Sequence, residues 1–303
     1  MELAEGIVIV PDMSADQRVR VYRRSFQMEG EFEGMEVDSY VVITKRFVVM
    51  LDTLLCPEDM NFVMRDIQDM LSGRQLLVVN SHADWDHCWG NGYFTGAHTV
   101  PILAHSYGVE RQRSEEAQTE LHDYQQRYPL FRNVVLIPPT LTFTQKMTVH
   151  GGDLRIELFS APGHHRDHIA AWIPELRLLL AFDAVEMPVP IIENADAVPS
   201  MQQTLIDFLA LQPQRVLCSH GKTADAGLIK RNLVYLSMIE QRSRAYLLTH
   251  HPSAAKLERP ATLIGYPFDE VISLETAPID RTFYSWAHDN NVRCILQWLM
   301  KYQ

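Results

Sequence analysis

Leu76 to Val79 reads as a short buried strand, and it runs without a break into Asn80-Ser81-His82-Ala83-Asp84-Trp85-Asp86-His87. A strand end that carries two imidazoles and two carboxylates so close together leaves few uses for itself. Residues two apart at a strand end point the same way, so His82 and Asp84 can face one ion together. A tight turn after them aims Asp86 and His87 at a neighbouring point. Imidazole and carboxylate suit zinc, iron or manganese. The competing reading is a polar strand-to-helix loop in which Asp86 only caps the helix.

The surrounding pattern supports a strand edge that holds chemistry. Val41 to Ile43 and Phe47 to Leu51 read as strands, with Thr44-Lys45-Arg46 between them and Asp52 at the end of the second. Pro57 opens a helix with Phe62, Ile67 and Leu71, closed by Gly73. Strand, helix, strand and then a polar loop is the α/β arrangement that keeps its site beyond strand carboxyl ends. Tyr107 to Tyr128 is polar, with Ala117, Leu121, Tyr124 and Tyr128 at helical spacing, which predicts a surface helix. Further strands are expected at Val134 to Ile137, Leu154 to Phe159, Ala170 to Ile173, Leu176 to Phe182 and Arg215 to Cys218. Ser200 and Gln203 form a capping box for one helix, and a long helix follows from Gly227 to Leu248. The last fifty residues begin with a loop, Pro252 to Pro260, and finish in a helix carrying Phe283, Trp286, Ile295 and Trp298.

Three more ligand types fall where strands should end. His164 follows Ala161-Pro162-Gly163, Asp183 ends the run Leu176-Arg177-Leu178-Leu179-Leu180-Ala181-Phe182, and His220 follows Cys218-Ser219. An ionised Asp after such a run must be paired or metal-bound, because burying it bare costs too much. Together with the first cluster these residues supply N/O ligands enough for two metals.

The ordered set resembles the metallo-β-lactamase superfamily, whose hydrolases carry H-x-H-x-D-H, a lone His, a bridging Asp and a last His. Asp52 resembles its first motif and His82-x-Asp84-x-Asp86-His87 the second. His164, Asp183 and His220 resemble the remaining three. The resemblance implies an α/β (α+β) fold, the four-layer αβ/βα sandwich. Residues 1–250 would form the catalytic domain, with a helical insertion at about 106–130, and residues 251–303 a short helical C-terminal extension. It implies two divalent metal ions, zinc first, with iron or manganese as alternatives. His82, Asp84 and His164 would hold one ion, and Asp86, His87 and His220 the other. Asp183 would bridge them, and Asp52 would orient a ligand histidine. Asp84 departs from the pattern, since most zinc hydrolases of the family have histidine there and diiron members carry an acidic residue.

The function implied is a dinuclear metal-dependent hydrolase of a small ester, thioester or lactone. Two ions about 3.5–4 Å apart can share a water and supply bridging hydroxide near neutral pH. Asp86 and Asp183 would be catalytic. His168 is a candidate proton donor to the leaving group, beside its plainer reading as a hydrogen-bonded structural residue. One rival is a diiron oxygen-binding or redox protein of the same fold, and a second is a phosphodiesterase. Composition weighs on the last: 27 basic against 38 acidic residues give −11, which disfavours nucleic acid. The partner expected is therefore a small-molecule substrate, with no nucleic acid and no membrane; a homodimer is left open. Cys56, Cys88, Cys218 and Cys294 form no C-x-x-C pair and read as reduced thiols, which together with the lack of any long apolar run suggests a cytoplasmic protein.

Overall fold

The computed structural model describes residues 6–29, 32–250, 252, 257–273, 275 and 278–301. The first sheet contains β1 (Ile7–Ile9), β2 (Val19–Met28), β3 (Phe32–Ile43), β4 (Phe47–Leu51), β5 (Gln75–Val79), β6 (Ile102–His105) and β7 (Leu141–Phe143), in that order. β1 to β4 pair antiparallel, whereas β4 to β7 are parallel. The second sheet runs β12 (Arg215–Leu217), β11 (Leu178–Leu180), β10 (Ile169–Ile173), β9 (Arg155–Ser160), β8 (Lys146–His150). Only its β11–β12 pair is parallel.

Strand alternation sorts the side chains into two cores. In β4, Val49 and Leu51 point to one and Val48 and Met50 to the other; in β10, Ile169, Ala171 and Ile173 oppose Ala170 and Trp172. Val49, Leu51 and Val79 share a cluster with Ile156, Leu158, Ala171, Leu180 and Leu217, so this core lies between the sheets. The outward set joins the helices. On the first sheet these include α1 (Pro57–Asp66), through Met60 and Val63. On the second they are α5 (Val198–Ala210) and α6 (Gly227–Leu247). Phe208 of α5 meets Phe159 of β9 edge-on at 6.0 Å. The layers are therefore helix, sheet, sheet, helix.

Four helices lie around the site edge: α2 (Trp85–Cys88), α3 (Ser106–Gln112), α4 (Glu115–Arg127) and α9 (Arg281–Lys301). The short α7 (Pro260–Leu263) and α8 (Phe268–Val271) precede α9. α9 sends Ala287, Ile295, Leu296 and Leu299 into the same core as α6. The surface helix expected over 107–128 is two helices, because Ser114 interrupts it and its hydroxyl accepts Ala117 N–H at 3.1 Å.

Two local expectations fail. Val134 to Ile137 is extended but joins no sheet: Val134 is buried in the core, while the Ile137 carbonyl accepts the Asn91 side-chain amide at 3.1 Å. The Ser200–Gln203 box does not start a helix, since α5 already begins at Val198 with Pro199 in its first turn. The preceding 3₁₀ turn Ala195–Ala197 is capped by Asn194, which accepts Asp196 and Ala197 N–H. Residues 253–256 of the expected Pro252–Pro260 loop lie outside the described residues.

Candidate metal centre

Parallel pairing brings the ligand-bearing ends to one edge. Leu51 of β4 sits opposite Val79 of β5, and Leu180 of β11 opposite Leu217 of β12. Beyond those residues the chain turns into Asp52, His82, Asp183 and His220. The β9–β10 connection adds His164, and the edge is tied across the sandwich by Ile169 N–H to Ser81 O at 2.8 Å.

Backbone strain aims two of these turns. Asp52 has φ +67° and Phe182 φ +49°, the left-handed region that costs a non-glycine residue about 1–3 kcal/mol. Gly90 is required for another reason, because a Cβ there would lie 1.9 Å from the Thr53 carbonyl oxygen. That contact places the His87 turn directly on the β4 exit, where Thr53 N–H donates to His87 O at 2.7 Å.

Four imidazoles are oriented the same way. The Nδ1 of His87 bonds Asp52 Oδ2 at 2.9 Å, and that of His82 faces Ser81 Oγ at 2.9 Å. His164 Nδ1 meets Ile191 O at 3.1 Å, and His220 Nδ1 meets Glu36 O at 2.7 Å. With an oxygen at every Nδ1, every Nε2 lone pair is left to be donated to a cation, as expected of metal-binding histidines. The Asp52 carboxylate is itself fixed by Ser81 N–H at 2.6 Å and Ser81 Oγ at 2.7 Å.

All four Nε2 atoms surround Asp183. Its Oδ2 is 3.7 Å from His82, 3.2 Å from His87, 3.6 Å from His164 and 3.4 Å from His220. Asp84 Oδ2 faces His82 and His164 at 3.3 and 3.5 Å, and Asp86 faces His87 and His220 at 3.5 and 3.3 Å. Groups able to hold an ion are accordingly His82–Asp84–His164, Asp86–His87–His220 and His82–His87–Asp183. The Nε2 atoms of His82, His87 and His164 and the Asp183 Oδ1 are buried and make no hydrogen bond. Buried polar atoms left unpaired are costly, and so many facing one point fit a cation.

The electrostatics say the same. Burial pushes the Asp183 carboxyl up, but His87 and His220 outweigh it and hold it well below the usual range. Burial opposes charging His87 and His220, yet Asp183 raises both well above an ordinary imidazole. His82 goes the other way, lowered well below by burial and by His87. Asp183 thus favours the charged form of the two imidazoles that lie nearest to it.

His168 does not join them. It is fully buried behind His82, with ring centroids 5.1 Å apart, and its Nδ1 meets Ala161 O at 3.2 Å. Burial pushes it down to about 3, so it is neutral, and it does not line the cavity over the centre. Its ring packs against those of His82 and Phe182, 5.1 and 6.3 Å away between centroids. Cys88 and Cys218 are buried and outside the ligand groups; the Cys218 thiol donates to His220 O at 3.1 Å.

Residues beyond the expected ligand set complete the site. Arg111 of α3 pairs with Asp84, and also with Asp167 Oδ1 at 3.3 Å. His165, whose Nε2 lies 3.1 Å from Asp84 Oδ2, faces Glu193 Oε1 with its other nitrogen at 3.4 Å. Glu186 accepts Tyr284 O–H at 2.5 Å, and burial pushes its carboxyl up to about 8. Arg111 stands in a polar helix and Glu186 just past an apolar run, so neither carried a pattern of its own. A cavity of about 290 Å³ opens over the centre, lined by Asp84, Asp86, His164, Asp183 and His220 on its floor.

Among curated proteins, no sequence matches this chain. Solved structures do match in fold. A metallo-beta-lactamase family protein from Thermus thermophilus superposes with a TM-score of 0.64 at 16% identity, over 93% of this chain and 93% of that one. A metallo-beta-lactamase from Pontibacter korlensis gives 0.60 at 17% identity, over 75% of this chain and 97% of its own. The FIM-1 enzyme from Pseudomonas aeruginosa, in a mono-zinc form, gives 0.57 at 16%, over 77% and 96%. The sequence profile of the metallo-beta-lactamase superfamily matches residues 33–221, from β3 through the last histidine of the centre, and the chain belongs to that superfamily.

Proposed function

We propose that this protein is a metal-dependent hydrolase with two divalent ions, acting on a small ester, thioester or lactone. The observation that carries the proposal is the position of Asp183, one carboxylate oxygen within 3.7 Å of four histidine nitrogens drawn from both ligand groups. His82, Asp84 and His164 would hold one ion, Asp86, His87 and His220 the other, and Asp183 both. When bound, such a pair supplies Lewis acidity and an activated water at neutral pH, so no nucleophilic Ser or Cys is needed.

The chain's own groups do the rest. Asp52 and Ser81 lock the imidazole tautomers, and Asp86 and Asp183 present carboxylate oxygens to the cavity. Glu186, on the cavity wall, accepts the hydroxyl proton of Tyr284 behind it. Zinc is the ion proposed, while three carboxylates among the ligands also suit iron or manganese. The substrate is proposed as a free small molecule, and the protein as cytoplasmic; no helix among the described residues is long and apolar enough to cross a membrane.

The test is a panel of aryl esters, thioesters and lactones offered to protein loaded with zinc, with chelation and reloading as controls. Turnover that chelation abolishes and zinc restores is expected. Cleavage of a bis-aryl phosphodiester with no ester turnover would overturn the reading in favour of a phosphodiesterase. An oxygen-sensitive visible band in iron-loaded protein, again with no ester turnover, would favour the diiron alternative.

A further inference from the structure

The wall of the cavity above the metal centre is a continuous strip of aromatic rings. Trp85 of α2 meets Phe26 of β2 edge-on at 5.3 Å and Phe32 of β3 at 5.8 Å. Phe32 meets Phe283 of α9 at 5.3 Å, and Phe283 meets Trp286 at 5.9 Å with planes only 33° apart. Every one of these rings lines the cavity. Trp286 ends the strip 55% exposed, an indole face left toward water at the mouth.

The wall offers an anion no unpaired cation: His165 lies between Asp84 at 3.1 Å and Glu193 at 3.4 Å, Glu186 accepts the Tyr284 hydroxyl, and no Lys or Arg is among the described lining residues. Arg111 is turned away into its pairs with Asp84 and Asp167. An anionic substrate tail would therefore find no unpaired cation on this wall and would approach the Glu193 carboxylate. A flat or alkyl uncharged group would bury itself against the rings, which is worth about 25 cal/mol for each Å² removed from water. The volume, about 290 Å³, sits at the small end for ligand pockets.

From this wall we infer that the substrate is uncharged and carries an aromatic or short alkyl group that lies along Trp85, Phe283 and Trp286. This rests on the hydrolase reading for its chemistry, but the wall itself is independent of turnover. It also gives α9 a part in selectivity, because Phe283 and Trp286 come from that helix.

The test has two arms on the full-length, zinc-loaded protein. In the first, the p-nitrophenyl ester of butanoic acid is compared with the hemisuccinate ester, similar in length but ending in a carboxylate. A kcat/KM at least tenfold higher for the butanoate is expected. Trp286→Ala, at an exposed position, and Phe283→Leu should raise KM for it more than they lower kcat. In the second arm, equilibrium dialysis compares 2-naphthol with naphthalene-2-sulfonate, the same ring with and without charge. Tighter binding of the naphthol by at least tenfold, weakened in both variants, supports the inference even if no ester is cleaved; that combination would fail only the hydrolase reading. Ester turnover with equal or better use of the hemisuccinate, or equal binding of the sulfonate, would overturn the inference and leave the hydrolase reading standing.

Discussion

Asp84 is held from two sides by Arg111 and the histidines: its Oδ1 accepts the Arg111 guanidinium, while Oδ2 faces His82 and His164 at 3.3 and 3.5 Å. Burial pushes this carboxyl up, and Arg111, with His165 and His82, overcomes it and holds it well below the usual range. The pair offsets the charge that distinguishes this chain from members with histidine at the same place. Arg111→Met should remove that positive charge and tighten binding of the ion at His82–Asp84–His164 by about tenfold, as expected of one charge beside a partly screened site. Competition against a chromophoric chelator measures it. Weaker binding instead would show that Arg111 serves to orient Asp84.

Asp52 is fully buried and touches His87 and Ser81 at once. Replacing it by Ala strands three buried donors, each worth about 1–3 kcal/mol if left unpaired. It also frees the His87 ring, and loss of such a partner typically costs about 10–100-fold in metal affinity. Thermal denaturation of metal-free protein reads the first effect and chelator competition the second. A variant as stable and as tight as the parent would contradict the role assigned to Asp52.

Gly90→Ala should destabilise the protein by at least about 1–3 kcal/mol, because the added Cβ meets backbone and not a yielding side chain. The same displacement separates the His87 turn from Thr53, so metal binding should weaken alongside. A urea midpoint unchanged from the parent would refute the close approach.

Metal removal should make stability depend on pH in a definite direction. His87 and His220 are raised in the folded, metal-free protein, chiefly by Asp183 working against burial. A raised imidazole contributes stability that is fully present below its unfolded value, about 6.5, and is lost as pH rises through its folded value. Chelated protein should thus melt at progressively lower temperature above neutral pH, while loaded protein, in which ions replace those protons, should not. The gap between the two melting temperatures should widen with pH, and metal uptake should release protons. A gap that narrows would contradict the assignment of charge in the centre.

How much of this was legible beforehand follows from what each pattern reports. β4 and β5 are uninterrupted apolar runs, and the ligands sit at their ends, so the site edge could be read from hydrophobicity and side-chain type. β2 could not. It carries Arg20, Arg23 and Arg24, and becomes a strand because Asp66 takes Arg20 while Asp38 takes Arg23 at 2.7 and 2.8 Å across β3. Such pairing is a tertiary fact. Val134 to Ile137 shows the opposite error, since an apolar run was needed for the core and not for a ladder. His168 shows a third limit: nearness in sequence to His164 does not say whether a ring will line the cavity. Arg111 and the aromatic strip come from elements far apart in the chain, where only the fold makes them neighbours.

The central claim is a two-ion centre joined through Asp183, and elemental analysis of zinc-reconstituted protein after exhaustive dialysis tests it most directly. The account predicts about two ions per chain for the parent and a loss of at least one in Asp183→Ala, which removes an oxygen from both ligand groups. One ion or none in the parent, or a full pair retained by Asp183→Ala, would contradict it.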